Sequence, residues 1–254
     1  VLHVLGTNNG RLKMQHGGES QPQPADLGKA QGQAEQLPLG LVAKMRERTR
    51  ELHSRAERTG IVNEIIRGLS NISGYKLFLR NLHPAYQQME RGFQRHEHNP
   101  ALAFLVPQEL CRARAIEADL HMLEGPDWAN KLPLLPVGQL YAERVAQASE
   151  GDGGRLIAHA YSRYLGDLSG GQILKRLLGR SLNIGPEALA FYDFPDIKDV
   201  DAFKTAYKTA IDDAEKNIDD VNAVVEEAAV AFELNIVLSD AAHEATRATE
   251  MIAP

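Results

Sequence analysis

From Leu39 onward the apolar residues recur at three- and four-residue spacing, and the strict alternation that makes a half-buried strand is absent, so the chain reads as all-α. Leu41, Met45, Leu52 and Ala56 mark one side of a first helix that ends near Thr59-Gly60, and a short second helix covers Ile61 to Leu69. Ser73 is placed to cap a third, which runs through Tyr75, Leu79 and Leu82 toward Phe93 with a bend at Pro84, where a backbone donor is missing. A fourth spans Pro107 to Leu123 and stops at Gly125-Pro126; the Leu- and Pro-rich stretch from Lys131 to Pro136 is a connector. A fifth covers Gly138 to Ala148 and a sixth, which carries glycines, Arg155 to Leu178. Helices from Asp199 to Asn217 and from Asp219 to Ala242 complete the set, after an aromatic loop Phe191-Tyr192-Asp193-Phe194-Pro195.

The glycine-bearing helix is the most informative stretch. Gly166, Gly170 and Gly171 interrupt a strong helical pattern, each at a cost of roughly 1 kcal/mol relative to Ala. A chain that keeps them needs its backbone close to a flat or bulky partner, or needs a kink, and Asp167 then stands where the wall of such a cleft is thinnest. A phosphate-cradling loop is excluded, because Gln172 and Ile173 follow Gly171 where Lys and Ser or Thr are required. Two ordinary helices joined by a Gly-rich turn, capped by Asp167 or Ser169, remain open on the glycines alone.

Composition narrows the class. The 254 residues, 43% of them hydrophobic, suffice for one buried core, which places a helical domain at 37–245 between a Gly/Gln/Pro-rich, disordered-looking extension at 1–36 and a tail at 246–254. A net charge of -6 gives no general attraction to nucleic acid or anionic membrane. The single cysteine, Cys111, excludes a disulfide framework and any CxxC metal motif. No apolar run reaches the roughly 18 residues of a membrane span, so the expectation is a soluble protein without a membrane anchor, in the cytoplasm or a plastid stroma. No nucleotide- or flavin-binding fingerprint is visible.

The candidate chemistry lies on the first helix. His53 adjoins the apolar stripe, Glu57 stands one turn later where it could accept a proton from the imidazole, and Arg50 and Arg46 precede it on a neighbouring face. A histidine ligand with cations nearby suits an iron porphyrin, which is apolar in the ring and anionic at the propionates. By spacing alone the same residues read as a solvated Arg/Glu face, and a lone helical His is more often a surface or satisfied core residue than a ligand.

Resemblance adds a different kind of information. Tyr161-Ser162-Arg163-Tyr164-Leu165-Gly166-Asp167-Leu168-Ser169-Gly170-Gly171-Gln172 resembles the signature of the biliverdin-forming heme oxygenases. The similarity extends from Leu41 to Leu238 through Leu52-His53-Ser54-Arg55-Ala56-Glu57, the midchain Ala115-Ile116-Glu117-Ala118-Asp119-Leu120 and the late Ala231-Phe232-Glu233-Leu234-Asn235-Ile236. It implies an enzyme that holds heme between a proximal helix and a kinked distal helix and cleaves it to biliverdin, carbon monoxide and iron. Dioxygen is then consumed, and electrons come from an external donor, a ferredoxin or a reductase.

By that resemblance His53 is the axial ligand of the heme iron, Glu57 its hydrogen-bonding partner and Phe232 part of the pocket. Gly166, Gly170 and Gly171 bring distal backbone against the ring. Asp167 acts through ordered water as a proton donor, in a network with Tyr86, Arg163 and Asn235. Arg46, Arg50, Tyr161, Lys204 and Lys208 match the positions that hold the propionates. The chain departs from the commonest pattern with Lys208 where Arg is usual, Arg46 where Lys is common and Ser162 for Thr, which weakens the expectation of attack at the alpha meso carbon, since a guanidinium fork and a point charge grip a carboxylate differently. A non-catalytic heme carrier or sensor on the same scaffold is the alternative, and an unrelated helical module is remote.

Overall fold

The computed structural model describes residues 39–252; the extension expected at 1–36 lies outside them. Ten α-helices are described: α1 Leu41–Ala56, α2 Gly60–Arg67, α3 Ile72–Arg95, α4 Ala113–Glu124, α5 Trp128–Lys131, α6 Pro136–Ala148, α7 Leu156–Ser169, α8 Gly171–Ser181, α9 Val200–Ala214 and α10 Val221–Ile252. There is no strand among the described residues. The all-α expectation holds, while several boundaries differ for identifiable reasons.

Asn71, not Ser73, starts α3: its backbone is extended and its side chain accepts the Gly74 N–H at 2.7 Å, the geometry an N-cap requires. That helix runs unbroken through Pro84. The fourth helix begins six residues late, because Gln108–Leu110 forms a 3-10 turn and the Glu90 carboxylate then receives the N–H groups of Arg112 and Ala113 at 2.6 and 2.8 Å. The connector contains the four-residue α5, and α10 continues to Ile252, so 246–252 are helical, with Thr246 buried.

The core forms around α3, whose Tyr75, Leu79, Leu82, Tyr86, Met89 and Phe93 are all buried at helical spacing. It packs on α6, α4 and α10. On the other side, α10 receives α1, α7 and α2. Gly60 makes the α2 contact feasible: it has φ +56° and sits so near α10 that a Cβ would lie 2.4 Å from the Ser239 carbonyl carbon. Close packing joins α1 to α10 and α7 to α10, with α9 touching both α1 and α7. The cleft that the family resemblance implies would therefore lie between α1 and α7, against α10.

Candidate active site

Register on α1 decides what faces the cleft. Leu41, Met45 and Thr49 form its buried stripe, and His53 continues that stripe one turn beyond Thr49 where cover from the core has ended. The His53 side chain is 61% exposed, with its ring 5.8 Å from that of Phe232 on α10. Glu57 stands 3.6 Å from His53 Nδ1, an exposed ion-pair neighbour slightly beyond hydrogen-bond reach. Arg46 and Arg50 are exposed on the same helix. Tyr161 of α7 approaches from across the cleft: burial raises its pKa, against the Thr49 hydroxyl and Arg46, which lower it. Lys204 and Lys208 lie one turn apart on α9, Lys204 paired with Asp201 at 2.7 Å and Lys208 exposed. Cations and a phenol from α1, α7 and α9 are thus available to anionic groups.

The distal side is closed. Tyr86 on α3 donates its hydroxyl to Asp167 Oδ2, and Arg163 Nη2 donates to Asp167 Oδ1 at 3.1 Å. Arg163 Nε also reaches the Tyr86 oxygen at 2.8 Å, and its Nη1 reaches Asn235 Oδ1 on α10 at 2.8 Å. Asn235 in turn donates to Ser162 Oγ at 3.1 Å and to the Ala231 carbonyl at 2.8 Å. All four residues expected in the proton network therefore belong to one hydrogen-bonded set. Burial raises the Asp167 pKa, opposed by Arg163 and Tyr86. Burial lowers that of Arg163, but Tyr86 and Asp167 outweigh it and hold the guanidinium charged. Tyr86 is pushed well up by burial.

The α10 helix ties the two sides together, since Phe232 touches His53 and Asn235, one turn on, bonds the distal helix.

The three glycines divide their work. None has positive φ, so backbone freedom is not the reason for any of them. A Cβ on Gly166 would meet nothing within 4 Å, and on Gly170 only the Gly166 carbonyl at 3.5 Å. One turn apart, these two leave an exposed, side-chain-free strip on the helix. Gly171 differs from the expectation: it is buried, and a Cβ there would lie 2.8 Å from Tyr192 Cδ1, so it serves helix packing rather than the open strip. The single kinked helix is also resolved into α7 and α8, which share Gly170 as their boundary in right-handed conformation.

Sequence reasoning missed two neighbours of the network. Tyr141 of α6 is fully buried, its pKa pushed up to about 12 by burial against Arg163 and Asn235. His159, one turn before Arg163, is buried with Nε2 3.0 Å from Glu227, which Arg144 grips with two bonds of 2.8 and 2.5 Å. His159 stands two residues before the Tyr161–Gln172 segment, and neither it nor Tyr141 carries a local mark. A groove of about 590 Å³ is lined by Glu47, Arg48 and Arg50 of α1, Leu140 of α6 and Glu226, Glu233 and Val237 of α10; its lining includes Arg50 of the expected site but neither His53 nor the open strip.

A planar, apolar ligand with acidic edges suits this site: an imidazole on one wall, bare backbone on the other, and cations at the border. Residues 39–241 match the family model "Heme oxygenase". The chain is 35% identical to heme oxygenase 1 of Synechocystis over 200 residues, covering 79% of this chain and 83% of that protein. It is also 35% identical to human heme oxygenase 1 over 215 residues, covering 84% and 75%. Among solved structures, Synechocystis heme oxygenase-1 in complex with heme superposes with a TM-score of 0.77 at 34% identity, over 84% of this chain and 97% of that one. Heme oxygenase from Leptospira interrogans gives 0.75 at 33% identity, over 80% and 100%. The chain belongs to the heme oxygenase family.

Proposed function

We infer that this chain degrades heme to biliverdin, releasing carbon monoxide and iron, with dioxygen as oxidant and electrons from an external ferredoxin or reductase. The observation that carries the reading is the junction of Tyr86, Asp167, Arg163 and Asn235 directly behind the bare Gly166–Gly170 strip. A carrier needs a ligand and a cradle. It has no use for a buried carboxyl–phenol–guanidinium set, whose burial costs stability unless every member is satisfied.

Bound heme supplies the iron that activates dioxygen and is itself the molecule cleaved. The chain's residues orient it and manage the proton. His53 would hold the iron, with the Glu57 carboxylate 3.6 Å from its Nδ1. Arg46, Arg50, Tyr161, Lys204 and Lys208 would hold the propionates and so orient the ring. Phe232 packs beside the proximal ring. The absence of Cβ atoms at Gly166 and Gly170 lets substrate and dioxygen approach the helix. Asp167 would relay a proton through water at its edge, while Tyr86 and Arg163 hold its two oxygens in place and Asn235 braces Arg163.

The test is aerobic turnover of the hemin-loaded chain with ferredoxin and its reductase, identifying the product by chromatography. Biliverdin, predominantly the alpha isomer, is the expected result. Hemin that binds with a clear Soret shift yet persists intact under an efficient donor would return the chain to the carrier class.

A further inference from the structure

Asp119 belongs to the midchain segment of the family resemblance and has no part in the reading above. It is fully buried on α4, and both of its oxygens point out of that helix. Oδ1 accepts the Ala190 N–H at 2.7 Å and Oδ2 the Phe191 N–H at 2.9 Å. These are the first two donors of the 3-10 turn Ala190–Tyr192, which have no partner within the turn itself. Two donors aimed at two oxygens require a group that only accepts; an amide of the same shape turns an NH₂ toward one of them.

From this turn, contacts reach both ends of the distal machinery. The Phe191 ring stands edge-on to Tyr86, centroids 5.5 Å apart at 82°. Tyr192 is the ring against which Gly171 packs, and its carbonyl accepts from Gln172 of α8 at 2.7 Å. Lys175 of α8 pairs with Asp193 at 2.9 Å, and Arg112 donates to the Asp193 carbonyl and lies 4.2 Å over the Phe194 ring.

We propose that Asp119 is a positioning residue for the distal site: by clamping Ala190 and Phe191 it sets the aromatic wall that seats the Tyr86 hydroxyl and the Gly170–Gly171 break. The proposal rests on the reading of Tyr86 and Asp167 as the proton-handling pair. Its energetics agree. Burial pushes the Asp119 pKa up to about 6 against the pull of its two N–H donors, Lys175 and Arg112, with Tyr75 of α3 and Tyr192 also facing it. An ionised carboxylate here therefore costs stability at neutral pH, which suits placement better than fold strength.

Asp119→Asn tests it beside Tyr86→Phe and Asn71→Ala, the last removing a helix cap remote from the turn. In the free chain, hydrogen exchange at Ala190 and Phe191 should accelerate roughly tenfold or more in Asp119→Asn and stay unchanged in Asn71→Ala. In the hemin complex, the midpoint of the acid–alkaline spectral transition should move in the same direction as in Tyr86→Phe, with hemin affinity retained. A lowered melting temperature with wild-type exchange at 190–191, or with a wild-type spectral midpoint, overturns the proposal. If Asp119→Asn does not fold, Lys175→Gln loosens the same segment from its other end and must shift the midpoint in that sense; no shift is equally fatal. The exchange readout needs no turnover, so a failure of the catalytic reading, in which wild type yields no biliverdin, is told apart from a failure of the clamp.

Discussion

His53 on α1 and Arg163 on α7, expected on opposite sides of the heme, are held in opposite ways. The His53 side chain is 61% exposed and owes its place to helix register and a single ring contact with Phe232. The Arg163 side chain is 15% exposed and bonded to residues on α3, α7 and α10 at once. A proximal position set by register can be emptied at little structural cost. A distal position set by mutual satisfaction cannot, because each partner is there to discharge another. His53→Ala should therefore give the largest functional effect with the least structural one: loss of the hemin-induced spectrum and of biliverdin, with stability within about 0.5 kcal/mol of wild type by denaturant titration. An unaltered hemin spectrum in that variant would dispose of the proposed ligand.

Asp167→Ala inverts the pattern. It leaves the Arg163 charge and the Tyr86 hydroxyl without their acceptor, and breaking a buried pair on one side costs about 3–5 kcal/mol. The expected variant still binds hemin, since the proximal wall is intact, but melts earlier and makes little biliverdin. Equal stability of wild type and variant would mean that the network is not closed as described.

The two walls were also unequally legible in the sequence. The proximal candidates could be grouped from i, i+4 spacing, because His53, Arg50 and Arg46 lie on α1 with Glu57 at its C-cap, but by spacing alone they read as a solvated face and the resemblance was needed to mark them as a site. The distal set joins residues 77 and 72 positions apart, Arg163 with Tyr86 and with Asn235, and no local pattern reports such a meeting; only the family resemblance brought them together. Tyr141 escaped for the same reason. Helix type and order were readable from periodicity, whereas the start of α3 was not, since Asn71 and Ser73 are both good caps and the choice depends on backbone dihedrals. The role of Gly171 depends on Tyr192, which lies 21 residues away on a separate turn.

Two buried acids on or beside the distal side predict a pH dependence of stability. Asp119 has its pKa raised from 3.8 to about 6. The folded chain thus binds that proton more tightly than the unfolded one, and the stability this contributes is lost as pH rises from about 4 through 6. Asp167 acts in the same direction. Across this range the melting temperature of wild type should fall relative to that of Asp119→Asn as pH rises, because only the wild type carries the titrating group. A constant gap between them would show that Asp119 does not titrate there.

The finest comparison lies within the glycine segment, where two neighbours five residues apart should respond to the same methyl group with opposite signs. At Gly171 the methyl meets Tyr192 Cδ1 at 2.8 Å, and overpacking of this kind costs about 1–3 kcal/mol. At Gly166 it meets nothing within 4 Å in a helix of ordinary dihedrals, so Gly166→Ala should stabilise the free chain by up to about 1 kcal/mol through helix propensity. The same methyl then stands on the strip that heme and dioxygen need, and turnover should fall as the melting temperature rises. That trade is the reason for a glycine that packing does not demand: if Gly166→Ala were both more stable and fully active, the bare strip would have no bearing on substrate, and the distal wall would have to be sought on another face of α7.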